Sequence, residues 1–506
     1  MAVLILPNQL FEDSILLSKS NNIYLLEDST YFTKYPFHKM KLILHRASMK
    51  FYYNYVKSLD NNKNIFYINY NKVDYDKIFD KHKEIYLFDP IDHTIKDKFD
   101  KLGKKYNVIL NYYDNQLFIE TNEDLQNYYD SLKSHTRYIH DNGFYKWQRS
   151  RLNILMDVNN KPLFGKLSFD KDNRKPFSKT YTEQNMPNIT NKYVTEAKKY
   201  VQKHFSNNFG MTDNFIFPID FTESKTLFKN FIKYKLNSFG DFEDAVSTDI
   251  NYGSHSVLSS SINIGIITIK YILDIVIKEF DKLSNNEQEK NIHNVEGFIR
   301  QIIGWRSYIR FIYKFHGKEM LNENLLEHTN KLSDDWYKGT TEIYPIDFLI
   351  KKVEKFAYLH HIERLMYIGN FALLSEIIPK DIYDWFMICF IDSYEWVMVA
   401  NVMGMSQYSC KSIKMMTKPY FSSSNYIKIM SNYKLNNYNT IIINNKSYYW
   451  NDIWNALYYN FIDNNCDLLK KIYSTSRNVR HWIKKTDKEK KDIKLIAKNY
   501  LKYSKI

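Results

Sequence analysis

Four short stretches of the chain carry residue types that could do chemistry. The first, Tyr252-Gly-Ser-His255-Ser256-Val-Leu258-Ser259, sets hydroxyls and small residues just ahead of an apolar run. Exposed backbone N–H groups at a helix start, joined by Ser side chains, make an anion cradle that suits a pyrophosphate. The same pattern also reads as a plain serine N-cap. The second stretch is Arg300-Gln301-Ile-Ile-Gly304-Trp305-Arg306-Ser-Tyr308. On an α-helix Gln301, Trp305 and Tyr308 share one face, an amide and an aromatic surface for a flat ligand. Arg300 and Arg306 could meet phosphates or carboxylates, and a solvated helix face accounts for them equally well. The third, Leu359-His360-His361-Ile-Glu363-Arg364, reads as helical. Adjacent histidines on a helix point about 100° apart and chelate poorly, so one can face a pocket while the other packs. A purely structural pair is the plainer alternative. The fourth, Asp392-Ser-Tyr394-Glu395-Trp396-Val-Met398-Val-Ala-Asn401, holds an acid in an apolar run. Such an acid is costly unless paired, and Arg364 is its natural partner. Thr417-Lys418-Pro419-Tyr420 adds further polar and aromatic groups.

The elements that must position these groups fall into two kinds. Ala2–Leu6, Ile23–Leu26, Ile65–Ile68, Ile85–Phe88 and Val108–Leu110 are short β-rich runs, separated by amphipathic stretches such as Lys39–Leu59. That alternation predicts a parallel sheet of βαβ units, an α/β Rossmann-like domain over 1–124. Ligands of such sheets sit beyond the carboxyl ends of the strands, which puts Gln9 and Glu27 on a ligand rim or in ordinary polar loops. Residues 125–219 read as a connector. From 220 to 506 the pattern is helical, with apolar residues at three- and four-residue spacing over 262–282, 295–316, 346–367, 382–398 and 450–472.

With 506 residues and a 44% hydrophobic composition the chain is globular, not disordered. A net charge of +14 suits an anionic partner, nucleic acid first among them, although Lys-rich composition alone produces the same balance. The three cysteines show no C-x-x-C spacing, so no disulfide framework is expected. No leader and no membrane-length apolar run is visible, and the expectation is a soluble, intracellular monomer without membrane association.

Several runs, taken in order, resemble the photolyase and cryptochrome superfamily, in particular its bacterial (6-4) photolyase, iron–sulfur branch. They are the opening LILPNQL, the stretch Phe37-His38-Lys39-Met-Lys41, EGFIRQIIGWR, HHIERLMYIGNFALL, IDSYEWVMVANVMGMSQ, TKPY and WNALYYNFI. The resemblance implies an antenna-binding α/β domain and a helical domain that holds FAD and receives ultraviolet-damaged DNA. His255, Ser256, Leu258 and Ser259 match its phosphate-cradling run, and Gln301 and Trp305 its flavin- and damage-lining helix. Arg364 and Asp392 match the ion pair beside the flavin ring, with Met398 and Asn401 following in the same run. His360, His361 and Tyr420 match lesion-contacting positions, one histidine being the proton donor. Trp385 and Tyr337 match the aromatic chain that photoreduces FAD. Gln9, Glu27, Phe37 and His38 match the region where this branch takes a lumazine antenna.

Two positions depart from the branch. The four cluster cysteines are replaced by Pro345, Lys434, Asn437 and Asp452, so no iron–sulfur cluster is predicted. Met398 stands where a polar residue is usual, and a thioether makes no strong hydrogen bond. Two functions follow from the resemblance: a light-driven (6-4) photoproduct lyase, or a cryptochrome-like blue-light receptor without repair.

Overall fold

The computed structural model describes residues 1–433 and 440–505. Five parallel strands, β1 (Ala2–Ile5), β2 (Asn22–Leu26), β3 (Asn64–Ile68), β4 (Glu84–Phe88) and β5 (Ile109–Tyr113), form one sheet in the order β3-β2-β1-β4-β5. The register pairs Val3 with Ile23 and Ile85 with Leu110. The β1 residues are buried on both faces, as expected for a parallel sheet covered by helices. β5 runs further than its apolar residues suggest, because Asn111, Tyr112 and Tyr113 pair with Tyr86, Leu87 and Phe88.

The helix Lys39–Leu59 joins the sheet to the rest of the molecule. His38 caps it, its Nδ1 accepting from Met40 N at 3.1 Å. Every residue from Met40 to Met49 is buried, so this half of the helix is covered all round and not on one stripe. Its polar residues face partners far away in sequence. Lys41 Nζ donates to the Ser393 carbonyl and, at 2.9 Å, to its hydroxyl. His45 Nε2 lies 2.8 Å from the Tyr394 hydroxyl. Arg46 bridges Glu27 and Glu196 at 2.7 and 2.6 Å. Glu196 belongs to the helix Lys192–His204, which lies within the 125–219 connector and packs on Lys39–Leu59.

Among the described residues, the remainder is made of helices and irregular segments with a short hairpin, Ile441–Ile443 with Lys446–Tyr448. Several helices expected to be continuous are broken, each at an identifiable residue. The 262–282 segment splits at Gly265 (φ +89) into Ser259–Ile264 and Ile269–Asp281. Tyr344–Phe356 ends at Ala357 (φ +53), so His360 lies in the following loop and not on the expected helix. Pro379–Cys389 stops before a turn at 390–394 that carries Asp392. Periodicity reports apolar faces, and these faces continue across the breaks. Among the described residues no helix is long and apolar enough to cross a membrane.

Glu27 is fully buried and accepts four hydrogen bonds, from Arg46, Tyr67, Tyr70 N and Tyr200. Replacing it with Gln leaves Arg46 its second carboxylate, Glu196, but gives the Tyr67, Tyr70 and Tyr200 donors a weaker acceptor. Glu27→Ala, which removes that acceptor altogether, is expected to cost about 1–3 kcal/mol in urea denaturation, with Glu27→Gln intermediate.

Candidate functional site

One cavity in the helical region gathers residues from five separate segments. About 1140 Å³ of space lies between its walls, counting the open mouth. At its side Arg364 and Asp392 form a bidentate pair, Nη1–Oδ1 2.9 Å and Nη2–Oδ2 3.0 Å. Ser259 Oγ donates to the same carboxylate at 2.6 Å, and Asn263 Nδ2 donates to the Asp392 carbonyl at 2.9 Å. Arg364 Nε donates to Leu359 O at 2.7 Å, and its guanidinium lies 4.2 Å over the Phe390 ring. Burial pushes the Asp392 carboxyl up, but Arg364 and Ser259 overcome this and hold it below the ordinary carboxylate value. Arg306, which also lines the cavity, donates to Asn263 Oδ1 at 2.5 Å and lies 4.8 Å from each of the Phe118 and Trp396 rings. Its Nε is buried without a protein partner, and burial lowers its pKa to about 9.

The expected cradle residues His255, Ser256, Leu258 and Ser259 all line this cavity, as do Gln301, Arg364, Asp392, Met398 and Asn401. Gln301 reaches it from a π-helical turn, Arg300–Trp305. Two more π turns, Glu363–Gly369 and Val399–Ser406, supply Arg364 and Asn401, and a fourth, His140–Tyr145, packs behind the first. A π turn inserts a residue into the α ladder and turns the following side chains away. This corrects the shared face expected for Gln301, Trp305 and Tyr308. Gln301 donates to Glu243 Oε1 at 2.6 Å on the cavity wall, whereas Trp305 stacks on His140, ring centroids 3.7 Å apart. Tyr308 is buried and donates to Met415 O.

The two histidines separate. His360 is buried and stacks on His255 at 4.4 Å, while its backbone N–H donates to Glu363, itself paired with Lys352 at 2.6 Å. Burial drives both stacked imidazoles well below the usual histidine range. His361 opens into the cavity, and burial within the site together with the Arg364 charge lowers it to about 4. Tyr420 is half-buried and outside the cavity walls, and burial, with Asp170, Asp141 and Asp244 acting on it, raises its pKa.

Trp385 is buried one layer behind the cavity, 5.4 Å from Phe386, which lines it. Its indole N–H donates to Trp336 O at 2.9 Å, and the two indoles meet edge-on at 6.1 Å. The expected neighbour Tyr337 packs instead near Phe209, at 6.2 Å. Successive residues on a short helix point in different directions, and spacing alone does not say which one turns inward. Phe386, His140 and Trp336 escaped the sequence reading because nothing local distinguishes them from core aromatics.

The antenna positions have structural uses. Gln9 bonds Leu6 N and Phe88 O, Glu27 is saturated by four donors, and Phe37 is buried with Lys41 Nζ 4.3 Å over its ring. His38 caps its helix and its Nε2 faces Val353 O and Glu354 O, close against Gly210, where an added Cβ would lie 2.0 Å away. All four are buried and engaged by protein groups. Pro345 sits in the first turn of Tyr344–Phe356, and Asp452 caps Trp450–Asn464 by accepting from Tyr449 N at 2.9 Å. Lys434 and Asn437 lie outside the described residues. The three cysteines are free, and among the described residues no three His, Cys, Asp or Glu side chains converge as metal ligands.

Solved structures of similar fold include a cryptochrome and a photolyase. A Synechocystis cryptochrome superposes with a TM-score of 0.58 over 85% of this chain and 88% of its own, at 13% identity. A bacterial class III photolyase from Agrobacterium tumefaciens gives 0.54 over 85% and 86%, at 14% identity. In sequence, a (6-4) photolyase of Agrobacterium fabrum is 31% identical over 421 residues, 83% of this chain and 80% of that one. An uncharacterized protein of Acanthamoeba polyphaga mimivirus is 34% identical over 183 residues, 34% of this chain and 91% of that one. The family model for deoxyribodipyrimidine photo-lyase-related proteins matches residues 3–217. The chain belongs to the photolyase-related family of the photolyase and cryptochrome superfamily.

The buried ion pair gives a test of the site. Asp392→Leu leaves Arg364 uncompensated and is expected to cost about 3–5 kcal/mol in denaturant unfolding, with part of that loss recovered in Arg364→Met/Asp392→Leu. Because the Asp392 pKa is depressed on folding, its stabilisation is present above about pH 4 and is lost as pH falls below that. The acid limb of the stability profile should therefore flatten in the double variant.

Proposed function

We propose that the protein is a light-driven DNA-repair lyase for (6-4) photoproducts, with FAD held in the cavity and the damaged dinucleotide entering its mouth. The observation that carries this reading is the convergence of a hydroxyl-rich cradle, a buried Arg–Asp pair and an accessible histidine on one cavity. The residues fit the cofactor. Ser256, Ser259 and the backbone of their run would meet the pyrophosphate, and Arg364–Asp392 with Asn401 would meet the polar edge of the ring system. The unpartnered Arg306 Nε is a buried donor awaiting an acceptor. When bound, FAD supplies light absorption and the transfer of one electron to the lesion.

The chain's own residues do the rest. Apolar walls, among them Leu258, Ile302 and Met398, exclude water from the cavity. His361 would hold and deliver a proton from its imidazole at the cavity surface, and His360, stacked and tied to Glu363, would keep His255 in place. A flipped lesion costs less to extrude than an intact pair, since damage already weakens stacking. The +14 charge would engage phosphates without reading sequence. A light receptor without repair is the second reading, favoured by Met398, which offers no strong hydrogen bond on the cavity wall.

The deciding measurement is restoration of thymines in a (6-4) oligonucleotide under blue light with fully reduced FAD; no restoration rejects repair in favour of the receptor. His361→Ala is expected to keep FAD and lose repair by about 10²–10⁴-fold, while His360→Ala should lower thermal stability as well. As His361 must be protonated to donate and its pKa is lowered to about 4, repair per absorbed photon should rise as pH is taken from 8 towards 5. A flat profile would remove His361 from the donor role.

A further inference from the structure

A second cavity lies behind the cradle, between the extended segment 184–191 and the helix Phe221–Tyr234. About 1270 Å³ of space lies between its walls, counting the mouth. Ser256 is the one residue that lines both cavities. Its walls are mainly apolar, with Ile189, Pro218, Leu227 and Phe231 forming the body.

Two charged groups line this space, Glu223 and Lys235. The Glu223 carboxylate is engaged by the protein, accepting from Asn191 Nδ2 at 3.0 Å and from Ile219 N at 3.1 Å. Lys235, directly after the helix, is 7% exposed and lines the cavity. Among the described residues its ammonium makes one hydrogen bond, to His255 O at 3.3 Å, long for an ammonium donor. Burial lowers its pKa to about 8, and the charge of Glu183 opposes that fall. That carboxylate is already occupied, accepting from Asn251 N, Tyr252 N and Gly253 N at 2.8, 2.5 and 2.8 Å. An ammonium with three donors and one long bond, at the end of an apolar cavity, is left in want of an anion.

The outer wall is anchored. Glu183 fixes one end of the segment to the loop before the cradle, Ile189 N donates to Phe215 O at 2.6 Å, and Asn191 Nδ2 donates to Glu223 at 3.0 Å. The space is therefore part of the fold and not a gap beneath a loose loop.

We propose that this second cavity binds a flat, mainly apolar molecule carrying one anionic group, with the anion at Lys235 and the ring system against Leu227 and Phe231. Lys235, Leu227 and Phe231 do not line the first cavity, so this site does not depend on the repair reading.

The test uses the full chain, with and without added FAD, and two fluorescent probes of similar shape: anionic 8-anilinonaphthalene-1-sulfonate and uncharged N-phenyl-1-naphthylamine. Saturable binding of the sulfonate is expected in both conditions. Lys235→Met should weaken the sulfonate at least tenfold and leave the uncharged probe unchanged, with Lys235→Arg restoring it. Thr226→Trp, placed on the exposed side of the helix to fill the cavity, should abolish both. Thermal melting and FAD uptake establish that each variant is folded. Equal binding of the sulfonate to Lys235→Met, full binding to Thr226→Trp, or displacement of the sulfonate by FAD would each overturn the proposal.

Discussion

The cavity depends on keeping a carboxylate charged inside protein. Asp392 is buried, and alone it would take up a proton; the bidentate Arg364 pair and the Ser259 hydroxyl hold it ionised. That requirement shapes the chain around it. Asp392 must sit on a turn rather than a helix so that its carboxylate and its carbonyl can be bonded from different sides, by Arg364 and by Asn263. Arg364 must rise from a π turn, and at Gly369 that turn comes so close to the next one that an added Cβ would meet Ser406 Oγ at 2.1 Å. The breaks in the helices and the π turns are one solution to a single problem, the alignment of a planar guanidinium with a buried carboxylate.

The α/β domain braces the same turn. Lys41, a buried lysine without a carboxylate at ion-pair distance, holds Ser393 by its carbonyl and hydroxyl, next to Asp392. Burial lowers it to about 7, and the charges of Asp392 and Asp92 oppose that fall. Two residues on, Glu395 accepts from Lys34 at 2.9 Å and from the Tyr313 hydroxyl at 2.6 Å, and Asp92 accepts from Trp396 N. Burial, with Glu395 close by, pushes Asp92 up to about 7. The sheet domain thus reaches the cavity through polar contacts to residues 393–396, which makes the positions of the two domains and the geometry of the cavity a joint property.

The family resemblance rests on runs such as HHIERLMYIGNFALL and IDSYEWVMVANVMGMSQ, and nearly all the residues named from them as cofactor-facing do meet on one cavity. The four antenna positions are bonded within the protein. Gln9, Glu27, Phe37 and His38 look available in the sequence because each is polar or aromatic at a strand end or helix start; their partners, Phe88 O, Arg46, Lys41 and Val353 O, lie up to 315 residues away. The histidine pair shows the same limit. Both rings are next to each other in sequence, and only the loop at 358–360 decides that one stacks while the other opens to the cavity.

What the sequence determined by itself is the order of elements and the identity of the charged pair: alternating short β-rich runs impose a parallel sheet, three- and four-residue apolar spacing imposes helices, and a lone acid in an apolar run requires a basic partner. What the tertiary structure decided is direction. A π turn, a left-handed Ala357 or a turn at Asp392 rotates every side chain that follows, so Trp305 left the face of Gln301, Trp336 took the place beside Trp385, and Lys235 was left facing an apolar cavity. Such rotations are set by packing between distant segments, which local periodicity does not record.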